Sequence, residues 1–264
     1  MKYSLSVRSI HELGKRTNQE DSIYPADGGY SDGLFILCDG MGGHEKGEVA
    51  SSTVCEVMSR YVKENCSGEF TETDFRNALS AAYDALDAKD DGSDRKMGTT
   101  LAFLKFHDGG YLAAHIGDSR IYHIRPSSKE ILYVSRDHSL VNELVALGEM
   151  TPEEAKSSKQ KNVITRAMQP GQERRSKAEI RMIEDVRDGD YFYICSDGML
   201  ERTEDVEILN VLLMDDRTDD EKIGIFRKVT EDNRDNHSAF LIRVTSGGIK
   251  QRRSFKDIIL DLWN

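Results

Sequence analysis

The chain has 264 residues, a formal net charge of −11, and 38% apolar and 31% charged side chains. That length holds one large domain or two small ones around a real core, and the composition excludes a disordered chain. No apolar run approaches the roughly 18 residues of a membrane-crossing helix, and the acidic balance argues against a nucleic-acid binder, which needs a basic stripe for phosphates.

Residues 1–8 hold no signal-peptide core, because Arg8 interrupts the apolar residues, so export by that route is not expected. The cysteines are Cys38, Cys55, Cys66 and Cys195, with no C-x-x-C pair to suggest zinc or redox chemistry. A reduced, cytoplasmic setting is the simplest expectation. Apolar runs rich in β-branched and aromatic residues predict strands at 33–39, 100–106, 111–116, 120–124, 130–134, 190–195 and 239–244. Val54, Val57, Met58, Tyr61 and Val62 recur at helical spacing after Lys46, as do Phe75, Leu79, Ala82 and Leu86 after Thr71. Thr151-Pro152-Glu153-Glu154 and Thr218-Asp219-Asp220-Glu221 read as capping boxes opening two more helices. A further helix is expected from Thr203, as its cap, to Met214. Tight turns at 106–111 and 116–121 suggest antiparallel pairing of neighbouring strands. The pattern is α+β in one domain, residues 1–246. Residues 247–264 read as a basic hinge and a short amphipathic segment, either docked on the domain or free to bind a partner.

The aspartates fall at the ends of the apolar runs. Asp39-Gly40 ends one, Asp197-Gly198 another, Gly117-Asp118 a third, and Asp235-Asn236 precedes the last. Asp-Gly is an ordinary hairpin signal. Here, however, the runs before Asp39 and Asp197 are apolar on both faces, as in central strands, and helical patterns follow them. Central strands ending in aspartate bring carboxylates to one rim of a sheet. Two such charges 4 Å apart repel by roughly 4 kcal/mol at an effective dielectric near 20, so the cluster must hold protons or cations. All-oxygen ligands favour Mg²⁺ or Mn²⁺ over zinc, and Gly40 can turn its carbonyl to a metal. Arg16, four residues before Glu20-Asp21, is suited to a phosphate beside such an acid. From that segment alone, a solvated surface loop is the simpler reading.

Taken in order, these pieces resemble the metal-dependent phosphatases of the protein phosphatase 2C (PPM) family, bacterial type, over about residues 3–244. The resemblance rests on Arg16-x-x-x-Glu20-Asp21, Asp39-Gly40-Met41-Gly42-Gly43-His44, Gly98-Thr99-Thr100, His115-Ile116-Gly117-Asp118-Ser119-Arg120, Asp137-His138-Ser139, Asn162–Ala167, Ser196-Asp197-Gly198 and Asp235-Asn236. It implies a four-layer α-β-β-α sandwich of two antiparallel sheets, with a dinuclear site at one edge. Asp39 would bridge two metals, Asp197 and Asp235 would ligate the first, and the Gly40 carbonyl the second. Glu20 would act through water, with Asp21 beside it. Asp118 with Asp197 would hold a third ion, and Arg16 the phosphate. The stretch 139–169 resembles a mobile flap. Met41 stands where some members carry a histidine thought to protonate the leaving group, and His44 reads as structural.

The activity so implied is hydrolysis of phosphoserine and phosphothreonine on proteins, by a water bridging two Mn²⁺ or Mg²⁺ ions, in a monomer opposing a bacterial Ser/Thr kinase. Enzymes accelerate phosphate-monoester hydrolysis by up to ~10²¹-fold, and metals with Arg16 supply charge where no side-chain nucleophile is evident. Two alternatives are a phosphatase of a regulatory protein of the anti-sigma-antagonist type and a non-catalytic binding module. Retention of Glu20, Asp39, Asp118, Asp197 and Asp235 argues against the module. Lys156, Lys159, Lys161, Arg174, Arg175 and Lys177 form a basic stretch that fits a phosphoprotein, a kinase or plain solvent.

Overall fold

The computed structural model describes residues 3–26, 32–42, 46–66, 68–92 and 96–248. The chain opens with β1 (Ser4–Glu12), β2 (Asp21–Tyr24) and β3 (Leu34–Met41), followed by helices α1 (Lys46–Asn65) and α2 (Glu72–Asp87). The strands β4 (Gly98–Thr99), β5 (Leu101–His107), β6 (Gly110–Ile116), β7 (Arg120–Arg125) and β8 (Glu130–Val134) come next. Helices α3 (Leu140–Leu147) and α4 (Pro152–Ser157) precede β9 (Glu179–Ile183) and β10 (Tyr191–Cys195). The short α5 (Asp197–Leu200), then α6 (Asp205–Leu212), α7 (Asp219–Thr230) and β11 (His237–Ser246) complete the order.

Two antiparallel sheets result. One runs β1-β11-β10-β7-β8; the other runs β2-β3-β5-β6-β9, with β4 paired to β3. Alternation along the strands sorts the core into three apolar layers. On β3, Phe35 and Leu37 enter the space between the sheets with Phe106, Phe192 and Phe240. Leu34, Ile36 and Cys38 face α1 and α2. Tyr193, Cys195 and Leu241 carry the other sheet's outer face onto α5, α6 and α7. The order is therefore helix, sheet, sheet, helix, as expected.

Local signals account for the helix starts. Thr71 accepts the Asp74 N–H at 3.2 Å while Asp74 takes the Thr71 N–H at 2.9 Å, a reciprocal cap of about 1 kcal/mol. The boxes at Thr151 and Thr218 form as the sequence predicts. The helix expected from Thr203 starts at Asp205 with Glu204 as its cap, because the Thr203 hydroxyl bonds back to the Met199 carbonyl. The turn at 116–121 is not a hairpin. It carries the chain from β6 in one sheet to β7 in the other, since the apolar residues on either side belong to different layers. Strands β1, β2, β9 and the two-residue β4 go beyond the seven predicted, and α3 forms inside the expected flap. Residues 249–264, with most of the expected tail, and His44 lie outside the described residues.

Candidate active site

Asp39 continues the inner face of β3, two residues beyond Leu37, so its carboxylate emerges at the end of the inter-sheet core. Its backbone is clamped: Asp39 N–H donates to Thr100 Oγ1 at 3.0 Å, and its carbonyl accepts from Thr100 N–H and Thr99 Oγ1, each at 2.9 Å. Asp197 opens α5 directly after β10 in the other sheet. Asp235 lies in the loop before β11, next to the loop after β1, where Lys15 N–H reaches the Asn233 carbonyl at 3.2 Å. Arg16, Glu20, Asp39, Gly40, Asp197 and Asp235 line one cleft of about 380 Å³, with Met41 and Ile164 on its wall.

The glycine at 40 is required by close approach. A Cβ there would collide with the Gly47 carbonyl at the start of α1 and lie 2.6 Å from that of Glu20. Gly40 N–H donates to that same Glu20 carbonyl at 3.0 Å, which holds the two candidate segments side by side.

The acids around the cleft are poorly compensated. Burial, then repulsion from Asp21, Asp197 and Asp118, pushes the Asp39 carboxyl well above the usual range. Burial also raises Asp197, opposed by a hydrogen bond with Asp39 and helped by the charge of Asp235. Burial and the neighbouring Asp197 push Asp118 up to about 7, and its Oδ1 is buried without a hydrogen-bond partner. Glu20 is raised by burial, with Arg16 pulling the other way. Arg16 is the cation among the cleft-lining side chains, and its Nη2 donates to Asp235 Oδ2 at 2.7 Å. The carboxylates ring the cleft rather than close on a point, with Asp235 turned to Arg16 and to its own neighbour's N–H.

Two predicted residues stand apart from the cleft wall. Asp118 sits on the crossover between the sheets; its charge raises Asp39, and the charge of Asp197 raises Asp118 in turn. Asp21 is buried with Oδ2 held by the hydroxyls of Ser238 at 2.7 Å and Ser196 at 2.9 Å. Burial outweighs those bonds and raises its pKa to about 7. A residue with no predicted role is Asn236. Its side chain donates to the Leu13 and Asn18 carbonyls and accepts the Glu20 N–H at 2.8 Å, fixing the loop that presents Arg16 and Glu20. An amide directly after the Asp235 strand-end acid was the available signal.

A second cluster of ligand-type side chains, His115, His138 and Glu179, brings its ligand atoms within 4.8 Å. It does not suit a cation. His138 Nδ1 is taken by the Gly117 N–H at 3.1 Å, and the cationic Arg166 guanidinium faces its Nε2 at 3.3 Å. The two imidazoles stack 4.6 Å apart at 6°, so their in-plane lone pairs run parallel instead of converging. Burial, with the charges of His115 and Arg166, pushes His138 down to about 3. Its place is structural: it ties the flap to the loop before Asp118, through Gly117 on one side and Thr165 on the other.

The protein phosphatase 2C family model matches residues 11–233, most of the chain. The chain belongs to the protein phosphatase 2C family. A putative protein phosphatase 2C-type protein of Streptococcus pyogenes is 35% identical over 220 residues, covering 80% of this chain and 84% of that protein. The crystal structure of the Mycobacterium tuberculosis serine/threonine phosphatase PstP superposes with a TM-score of 0.79 at 30% identity, over 92% of this chain and 99% of the other. A PstP catalytic domain solved with two manganese ions superposes at 0.74 with 29% identity, over 92% and 99% of the two chains. Family membership fits the retained acids, and the four-layer sandwich is the fold these phosphatases share. No helix among the described residues is long and apolar enough to cross a membrane.

Proposed function

We propose that this chain is a metal-dependent protein phosphatase that hydrolyses phosphoserine and phosphothreonine on proteins. The observation that carries the reading is the meeting of Asp39, Asp197 and Asp235, from three distant segments, on one cleft with Arg16.

The donor set fits divalent cations. Half-buried carboxylates that repel one another, a buried Asp118 oxygen without a partner and a Gly40 backbone on the cleft wall are what cations would neutralise. Asp39, Asp197 and Asp235 with the Gly40 carbonyl would hold two ions, Glu20 would act through water with Asp21 behind it, and Asp118 with Asp197 would hold a third. Oxygen ligands suit Mn²⁺ or Mg²⁺. When bound, such ions supply Lewis-acid charge to phosphoryl oxygens and make a water acidic enough to attack near neutral pH.

The chain's own residues do the rest. Arg16, whose Nη2 donates to Asp235 Oδ2 at 2.7 Å, stands on the cleft wall with a planar fork that would bind two phosphate oxygens. Asn236 holds the loop that aims Arg16. Met41 and Ile164 give an otherwise polar cleft two apolar side chains on its wall. Met41 has no proton to give, so the side chain after the Asp39-Gly40 pair does not protonate the leaving alkoxide. In the cell, the partners we assign are phosphoproteins, a Ser/Thr kinase's targets foremost, met in the cytoplasm by a monomer.

The test is turnover of a phosphothreonine peptide with Mn²⁺, Mg²⁺ or EDTA. Activity with either ion and none in EDTA is expected. Equal turnover in EDTA overturns the reading.

A further inference from the structure

The segment that brings Ile164 to the cleft wall is basic, and the proposed chemistry does not use that charge. Residues 156–177 carry seven basic side chains against one acidic, in a chain of net charge −11. Some are already engaged. Arg175 bonds Asp84 and Asp87 on α2 at 2.6 and 2.7 Å, and Lys156 pairs with Glu204 at 3.5 Å. Lys159 and Lys161 are exposed and form no ion pair among the described residues.

Both lysines stand on a braced turn. Gln160 N–H donates to Ser158 Oγ at 3.1 Å, Lys161 N–H to the Ser158 carbonyl at 3.3 Å, and Val163 N–H to the Gln160 carbonyl at 3.0 Å. The next residue, Ile164, bridges to Ser139 and lines the cleft. Three residues of chain span at most about 11 Å, so the Lys161 backbone lies within that distance of Ile164 on the cleft wall, within reach of residues flanking a phosphoserine bound there. Because neither ammonium is paired, no existing bond is broken when an acidic side chain arrives. The strongly acidic remainder of the surface repels such a chain, so the turn also fixes the direction from which it enters.

We propose that Lys159 and Lys161 select phosphoproteins whose phosphorylated residue is flanked by acidic side chains. The inference rests on the phosphatase reading above and adds a substrate class to it. Exposed ion pairs are weak contacts, so the two together give about twofold to tenfold in kcat/KM.

The experiment uses the full chain with Mn²⁺ and three substrates: a phosphothreonine peptide with aspartates on both sides, the same peptide with lysines there, and p-nitrophenyl phosphate. The wild type is expected to favour the acidic peptide, and the preference is expected to shrink as salt rises from about 0.05 to 0.5 M. In Lys159→Glu/Lys161→Glu the preference reverses, while p-nitrophenyl phosphate turnover stays within about twofold. The milder Lys159→Gln/Lys161→Gln falls between. An unchanged peptide ratio in both variants, with all substrates still hydrolysed, overturns the docking inference and leaves the phosphatase reading standing. No turnover of any substrate by the wild type removes both.

Discussion

Strand β10 has an aspartate at each end, Asp190 buried and Asp197 half-buried, and the molecule treats the two in opposite ways. Asp190 precedes Tyr191 and Asp197 follows Ser196, about 20 Å away along an extended strand. At the first end every carboxylate oxygen is answered. Arg125 donates to Asp190 Oδ1 at 2.9 Å and to Oδ2 at 2.8 Å, and His123 Nε2 lies 2.8 Å from Oδ2. Burial alone would raise that carboxyl, but these bonds outweigh it and hold it below the ordinary range. At the second end, acids from both sheets face one another and are raised. One end is complete as folded; the other awaits positive charge. On the proposed function, sequestered carboxylates therefore mark the reactive end only where their counter-ions are missing.

The comparison is broken most severely by exchanging one acid at each end. Asp39→Asn is expected to cut phosphopeptide kcat/KM by about 10³-fold or more, yet to leave metal-free stability unchanged or higher, because it removes a repelling charge. Steady-state kinetics and urea unfolding of the same preparation read both effects. Full activity, or a large loss of stability, would contradict the assignment of the two ends. Asp190→Ala should do the reverse. It leaves the buried Arg125 guanidinium with Asp185 alone, whose Oδ2 and carbonyl it meets at 2.8 and 2.9 Å, and takes the partner of His123 Nε2, at a cost of about 3 kcal/mol, while kcat of the folded fraction is kept. The linkage has a defined sign. The folded-state pKa of Asp190 is depressed, so its contribution is fully present above about pH 4. It is lost as the pH falls through the lower folded-state value. The stability gap between wild type and Asp190→Ala should narrow below pH 4 and stay constant above it.

Much of the cleft end was legible in the sequence, and the far end was not. Asp39 and Asp197 stood out because each interrupts a run apolar on both faces, a local contrast that needs no tertiary knowledge. The Asp190–Arg125–His123 network has no such signature, because its members are spaced for a contact across β7 and β10 rather than along either strand. The missed strands are edge or half-buried ones. In β1, Leu5 and Val7 pack inward between polar neighbours, a period-2 signal that was present but short. The 116–121 turn misled because a hairpin and a crossover between sheets need similar turn residues, and only the layer each strand enters separates them. Asp21 belongs by sequence with Glu20, but alternation turns it inward to Ser196 and Ser238, so adjacency in the motif did not mean adjacency on the cleft wall.

Added cation sharpens the same contrast with a smaller effect. At a Mn²⁺ concentration about 100 times the dissociation constant, binding to the folded state adds about 2.7 kcal/mol. Thermal unfolding should therefore shift upward with Mn²⁺ in the wild type and in Asp190→Ala, and much less in Asp39→Asn. An equal shift in all three would place the ions away from the cleft.

The smallest expected effect tests whether the far end is as complete as its geometry implies. Tyr111 is fully buried, and its hydroxyl lies 3.1 Å from His123 Nδ1, the ring atom opposite the one that meets Asp190. Tyr111→Phe keeps the ring against Phe106 and Phe192, whose centroids are 6.2 and 4.8 Å away, so packing is retained and one hydrogen bond is lost. The cost should be about 1 kcal/mol, seen as a lower urea midpoint with an unchanged slope. The kinetic constants should not move, since the hydroxyl is separated from the cleft by the length of the sandwich. A fall in kcat from this single oxygen would mean that the two ends are coupled through β10, and the division between a stabilising end and a reactive end would fail.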